Sequence, residues 1–577
     1  MAVALAAPAL FWKGGVLEEE TIVFLRNYWD GRSLAQKVFD PHANDFGTYQ
    51  ARELSYLIDE VDAQCLKALL GRGIDFFVPM SALFASAAIV LVFSLGVRAA
   101  LPALNAVTAT LVLLLYLTNF AFVSTMGLFY RATKPLLAPA LLALLFLLCR
   151  ALHGRSGSHR SAGWALFGLA SAMSLLDRQG FFYTALIAAA LAAVYARRQE
   201  RIGPLLAALA ATVFGLLYNY VIGPWLVHAV NGYWPRFKYQ RLALAKLTNP
   251  QFYAQAVELL SSYAGTLLGG LPSGAAGVLA LLALGLGLWW WRRLGRRPPV
   301  LALLLVLVVG ASQVVMFALM IMRYPQVHDW ADHRLWYYPL PFQTLMVFGL
   351  LVVLNATLPP LGARGHAALQ LALAVAIVAN VASWQRNRNT MIAGPWFSKT
   401  YAQSTLFRES LRQGWPGDGL YGAYRDFYYD CVELSPVLRS RARPDARGGD
   451  GFYSTELFEG RVFAWARQAG SLILTLPEGG MYRVEGELWL RPGGVVRISA
   501  PGLEAMSVAR KDATEGGVPF SLVMSLPSGR TEVRLQSQRP EEVGGSIRER
   551  RTAAFGLFFP VAIWGAEVRP PAARTAP

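Results

Sequence analysis

The chain has 577 residues, 55% of them hydrophobic and 15% charged, and 53 Lys and Arg against 36 Asp and Glu give a net charge of +17. Soluble domains carry about 25% charged residues, and several apolar runs here approach the roughly 20 residues that cross a bilayer, which argues against a large soluble protein. Much of the basic excess sits in short loops between apolar runs, as a positive-inside bias requires, so no nucleic-acid partner is read from it.

Ala2 to Trp12 is apolar but rises only about 16 Å as a helix, half a hydrocarbon core. It lacks a basic leader region and reads as a short or truncated first span, the alternative being a start upstream. Lys13 to Asp75 is polar and acidic, with turn signals at Trp29-Asp30-Gly31 and Asp40-Pro41. Inside it, Tyr49 to Leu70 has a helical period. Leu54, Leu57, Ile58, Val61, Cys65, Ala68 and Leu69 form the apolar stripe, and Glu53, Asp59, Glu60, Asp62 and Lys67 take other faces. The expectation is an interfacial helix on the membrane; packing in a small soluble subdomain is the rival.

Further spans are expected near 76–97, 101–121, 135–150, 162–176, 181–196, 204–223, 274–291, 299–321, 337–356 and 367–384, about eleven with the first. Alternating them puts Arg98, Arg150, Arg155, Arg160, Arg197, Arg198, Arg201, Arg292, Arg293, Arg296, Arg297 and Arg364 on one side. That side is expected to be cytoplasmic. The other side then receives 13–75, the small loops at 122–134 and 177–180, the loop 224–273, a polar cluster at 322–336, and everything after Gln385. Trp225, Tyr233, Trp234 and Tyr239 suit a headgroup belt.

The cluster within Met322 to Phe342 places Arg323, His328, Asp329, Asp332, His333 and Arg334 between two apolar runs. Ionisable groups at a membrane boundary need a reason, and opposite an acidic first segment they suggest a phosphate-bearing substrate. From Gln385 to Gly451 the chain is a polar linker with a helical piece at Ser398 to Arg412. From Phe452 the period becomes two, and strands are expected at 471–476, 482–490, 495–499, 520–526, 531–536 and 554–559, a sandwich of about 120 residues. The expected fold is a polytopic α-helical membrane protein with a C-terminal all-β sandwich. Its parts are a transmembrane domain at 1–385, a linker at 386–451 and an extracytoplasmic sandwich at 452–577. Three cysteines without CxxC spacing support neither disulfide framework nor zinc site, and no Walker loop, GxGxxG or GxSxG occurs.

Three features carry a resemblance. They are the short first span followed by Glu18-Glu19-Glu20 and an amphipathic helix, the span ending in Leu175-Leu176-Asp177-Arg178-Gln179-Gly180, and the later run His333-Arg334-Leu335-Trp336-Tyr337-Tyr338-Pro339-Leu340-Pro341. In these the first 385 residues or so resemble the GT-C superfamily of membrane glycosyltransferases, and the C-terminal part looks like jelly-roll modules of sugar-handling proteins. The resemblance implies a polyprenyl-phosphate-linked sugar as donor, a glycan or protein acceptor, and a site outside the cytoplasmic (inner) membrane of a bacterium. Where related enzymes have an acidic residue, this chain has Lys134, which puts a metal-assisted acceptor site in doubt.

Such a transfer needs a carboxylate to take the acceptor's proton and cations to steady the departing phosphate. Asp40 and Asp45 are candidate bases, but the family pattern favours Glu19 or Glu20. Arg334, with His333, Arg323 and Arg178, is expected on the phosphate, since a guanidinium meets its oxygens in pairs. Trp330, Trp336 and Tyr338 are expected to stack on sugar or prenyl surfaces, or to form an aromatic belt. Asp177 beside Arg178 is expected either to pair with it or to line a cavity with it. No nucleotide or redox cofactor is implied; a divalent metal on His328, Asp329, Asp332 and His333 is the remaining cofactor reading. Two rival functions stand beside transfer: a non-catalytic assembly scaffold that uses the sandwich to hold a partner, and a flippase for lipid-linked sugars.

Overall fold

The computed structural model describes residues 1–12, 16–17, 19–41, 48–75, 77, 79–129, 133–153, 159–198, 202–237, 248–251, 253–254, 265, 267, 339–358, 362–393, 395–413, 422–453, 455–458, 460–512, 516–544 and 551–565. The chain forms two compact units, Met1–Leu66 with Phe76–Ala402, and Lys67–Asp75 with Gln403–Pro577.

The first unit is helical. Among the described residues, five helices are long and apolar enough to cross a membrane, or six if one bent pair is a single span. The five segments are Met80–Ala100, Pro135–Leu152, Arg178–Ala196, Ile202–Asn231 and Ala363–Ala393. Shorter apolar helices run over Ala2–Trp12, Ala162–Leu176 and Leu340–Asn355. The spans expected at 274–291 and 299–321 lie outside the described residues. Ala363–Ala393 exposes Leu371, Val375 and Val378 and buries chiefly Leu373, Asn380, Ser383 and Met391, the surface a lipid-immersed helix presents. Helices approach closely where side chains are small: a β-carbon at Gly96 would stand 2.2 Å from the Phe146 ring.

Two expected boundaries move, each for a local reason. The run expected as one span at 101–121 is broken into Ala106–Thr118 and Phe120–Met126, bent by 57°. Asn119 sits fully buried at the break; its amide donates to the Tyr116 carbonyl, and its Oδ1 accepts from the Phe122 N–H at 3.0 Å. Other helices take up neighbouring carbonyls. Trp384 Nε1 donates to Thr118 O at 2.9 Å, and Trp12 Nε1 to Ser124 O at 3.1 Å. A break at membrane depth is tolerated when the surrounding protein satisfies its backbone in this way. The second change is at Gly223-Pro224, where the apolar run was expected to end. The helix continues to Asn231 because residues Tyr218–Ile222 form a π turn, with the Gly223 N–H bonded to Tyr218 O. The wider turn accommodates the missing N–H of Pro224.

The second unit pairs two five-stranded sheets. One runs in the order Leu503–Ala509, Val495–Ala500, Gly529–Ser537, Ala469–Leu476, Asp445–Gly448; the other runs Gly516–Leu526, Gly480–Leu490, Phe555–Gly565, Arg461–Ala466, Glu456–Phe458. Neighbouring strands in both are antiparallel. Leu472, Leu474, Val533 and Leu535 from the first sheet and Val484, Leu488, Phe555 and Leu557 from the second share one apolar core. The helix expected at Ser398 to Arg412 runs over Pro395–Gln413, and Gly422–Leu434 and Pro436–Arg441 follow it within the stretch read as a linker.

That stretch also supplies the strand Asp445–Gly448. Arg447 in it is buried, and its guanidinium reaches Asp426 and Asp430, both at 3.5 Å, and lies over the Tyr429 ring at 5.1 Å. It thereby ties the helix Gly422–Leu434 to the sheet. Arg447→Met keeps the bulk and removes the cation the two aspartates share. Because Asp426 is partly solvated, the expected loss is about 2 kcal/mol rather than the larger cost of a sealed pair. Scanning calorimetry of the full-length protein should read it as a lowered melting temperature of the sandwich transition.

Candidate functional site

The helix expected at 49–70 is Glu53–Gly71, and its buried side carries carboxylates beside the apolar Tyr56, Ala63, Leu66 and Leu70. Leu57 and Val61 are 37% and 53% exposed, and Leu54, Ile58 and Cys65 are half-buried, whereas Glu53, Asp59, Glu60 and Asp62 are each less than a tenth exposed. In water this arrangement costs free energy on both faces. It becomes sensible where the outward stripe meets lipid and the inward carboxylates meet cations and donors.

The inward face is met residue by residue. Lys37, itself 6% exposed, donates to Glu60 at 3.2 Å and to the carbonyl of Tyr28. Gln64 also donates to Glu60, at 3.0 Å. Asp62 accepts from the Ser81 N–H at 2.8 Å and from its hydroxyl. It therefore caps the start of the helix Met80–Ala100, where Pro79 offers no side-chain cap. Nearby, Asp40 accepts from the Tyr233 hydroxyl at 2.7 Å and pairs with Arg32, so its oxygens are engaged in joining the 33–40 segment to the residues after Asn231. Asn231 donates to Phe39 O at 2.6 Å across the same junction.

At the helix start the chemistry changes from carboxylates alone to carboxylates with guanidinium groups. Asp177 is 2% exposed between two apolar helices, His159–Leu176 and Arg178–Arg198. It pairs with Arg52 at 3.0 Å and accepts from the Gln179 N–H at 2.6 Å, capping the second helix. Its cation is thus Arg52 rather than the adjacent Arg178. Arg178 instead donates to the Tyr49 carbonyl at 2.7 Å. Glu53 faces the hydroxyls of Tyr49 and Tyr218. Burial, reinforced by the Glu53 charge, holds the Tyr49 hydroxyl well above the usual phenol range, so Tyr49 is neutral. Burial also pushes the Asp62 carboxyl up to about 6, against the opposing pull of its hydrogen bonds from Ser81 and Met80.

The sequence candidates fall into three groups. Arg178 stands in this junction. Glu19 and Glu20 open the helix Glu19–Tyr28. Asp45, Arg323, Trp330, His333, Arg334, Trp336 and Tyr338 lie outside the described residues, as do His328, Asp329 and Asp332. No group of three or more metal-ligating side chains occurs among the described residues. Sequence reasoning passed over Arg52, Glu53, Tyr49 and Tyr218. Arg52-Glu53 was legible only as a charged pair at a helix start, and Tyr218 only as one aromatic within an apolar run.

No protein-family model matches the chain, and no curated protein matches it.

Asp62 yields a pH dependence with a definite sign. Its carboxyl titrates at 3.8 when unperturbed and about 6 when folded, so the native state holds the proton longer. The stability from this group is full below about pH 4 and is lost as pH rises through about 6, a change of about 3 kcal/mol by neutrality. Asp62→Asn stays neutral and keeps an acceptor for the Ser81 N–H. Its melting temperature in detergent should match wild type near pH 4 and exceed it above about pH 6.

Proposed function

We propose that this chain is an integral membrane glycosyltransferase of the GT-C type that moves a sugar from a polyprenyl-phosphate donor to a glycan or protein acceptor. In this reading about eleven spans lie in a bacterial inner membrane, and the first polar segment and the sandwich face the extracytoplasmic side. The observation that carries it is the junction at Tyr49–Glu53. There Tyr49, just ahead of the acidic helix in the first polar segment, bonds through its carbonyl the guanidinium of Arg178, 129 positions away in the chain. The acceptor hydroxyl oxygen attacks the anomeric carbon as the bond from that carbon to the phosphate oxygen breaks. The proton passes to Glu19, Glu20 or Asp45, and the electron pair leaves with the polyprenyl phosphate, steadied by Arg334 and Arg178 with His333 and Arg323.

A scaffold reading draws on one observation: Asp40, Glu60, Asp62 and Asp177 are each engaged by a cation or a donor, as purely structural carboxylates are. The purified full-length protein in detergent, given polyprenyl-phosphate-linked sugars, separates the two. Glu19→Gln, Glu20→Gln and Asp45→Asn are assayed singly beside Arg334→Ala. Loss of the base should lower the rate about 100-fold or more, and loss of Arg334 by a similar factor. No transfer by the wild-type protein returns the chain to the scaffold reading, and full transfer by all four variants removes the base and phosphate roles from these residues.

A further inference from the structure

The π turn in the helix over 202–231 has a consequence at the other side of the junction. Residues Tyr218–Ile222 carry one residue more than a regular turn, and the wider turn is followed at once by Gly223. The Tyr49 hydroxyl lies directly on that glycine: a β-carbon there would stand 1.6 Å from the hydroxyl oxygen and 2.7 Å from the ring carbon that bears it. The same turn presents Tyr218, buried in one apolar cluster with Tyr49, and the Glu53 charge lies close to both hydroxyls. The backbone of Tyr49 is held as well, since Thr48–Tyr49 pairs in parallel with Arg236–Phe237 and the Phe237 ring meets that of Tyr49 edge-on at 5.8 Å. The carbonyl of this residue is what Arg178 bonds.

We propose that Gly223, Tyr218 and Glu53 are positioning residues for Arg178, acting through Tyr49. The π turn and its glycine make a seat for the Tyr49 ring, Tyr218 packs beside it with the Glu53 charge close by, and the Tyr49 carbonyl sets the guanidinium where a phosphate-bearing lipid is met. This rests on the transfer reading, in which Arg178 contacts the phosphate. A displacement of about 1 Å at such a distance from the chemistry is enough to cost about 100-fold.

The test is binding of decaprenyl phosphate to the purified full-length protein in detergent micelles. The variants are Arg178→Ala, Gly223→Ala, Tyr49→Ala, Gly223→Ala with Tyr49→Ala, and Tyr218→Phe, each checked for a monodisperse elution peak. Gly223→Ala should weaken binding about tenfold by lifting Tyr49. With the Tyr49 ring removed, the added methyl meets no ring, so the double variant should bind within about threefold of Tyr49→Ala alone, a loss of additivity that a general packing defect does not give. Tyr218→Phe introduces no clash and should weaken binding about threefold, which keeps the proposal testable if Gly223→Ala does not fold. Wild-type affinity in Gly223→Ala and Tyr218→Phe, or a double variant that binds about tenfold more weakly than Tyr49→Ala, overturns this inference and leaves the transfer reading standing. Wild type that fails to bind the lipid, or Arg178→Ala that binds as wild type does, overturns the phosphate role of Arg178 and the inference with it.

Discussion

A carboxylate removed from water must meet a cation or a donor, and in the first unit that requirement organises the polar segments. Glu53, Asp59, Glu60 and Asp62 project from one helix into the protein. Lys37 comes to Glu60 from a short helix upstream, and Ser81 comes to Asp62 from the start of the next long helix. Arg52 reaches Asp177 across a turn between two apolar helices. Each pair joins chain segments that local propensity has no means of bringing together. Removing one member leaves the other desolvated, which is why such contacts constrain the arrangement more than their net energy implies.

The apolar helices face the same requirement through their backbone. Asn119 breaks a hydrophobic run and serves as cap to both halves. Trp384 and Trp12 donate to carbonyls on either side of the break. Tyr116 and Thr344 share a hydroxyl–hydroxyl bond at 2.7 Å beside it. The π turn at Tyr218–Ile222 is the complementary device, a helix kept continuous past a proline by widening rather than breaking. Both irregularities lie where polar side chains enter an otherwise apolar layer.

In the second unit, apolar strand faces close on a shared core, and a buried guanidinium fastens the adjoining helix. The outward face of one sheet is unusual in being aromatic. Phe463, Trp489 and Phe558 pack there with Phe458 and Trp465, and Arg461 lies over the Phe558 ring at 4.0 Å. Gly556 gives the Phe463 ring room to lie against the sheet, since a β-carbon there would come within 2.0 Å of it. Aromatic area of this kind adds a second small apolar layer to a sheet whose main core lies on its other side.

Composition and period alone determined a great deal. Long apolar runs have few stable homes outside a bilayer, so the helices at Met80–Ala100, Pro135–Leu152 and Arg178–Ala196 were legible as candidate spans. Alternation of two fits only a strand, so the stretches at Ala469–Leu476, Gly480–Leu490 and Gly529–Ser537 were legible too. The strands Asp445–Gly448 and Arg461–Ala466 were not, because the first is a charged stretch buried by an ion pair and the second is apolar on both faces. At the candidate site the sequence marked Arg178 and Asp177 as ionisable groups between apolar runs, but not their partners. That Asp177 chooses Arg52, that Arg178 takes the Tyr49 carbonyl, and that the acidic face of Glu53–Gly71 points inward are decisions of tertiary structure. Helical period reports which residues share a face; which face is buried depends on whether lipid or water lies outside and on which cations the rest of the chain brings to the carboxylates.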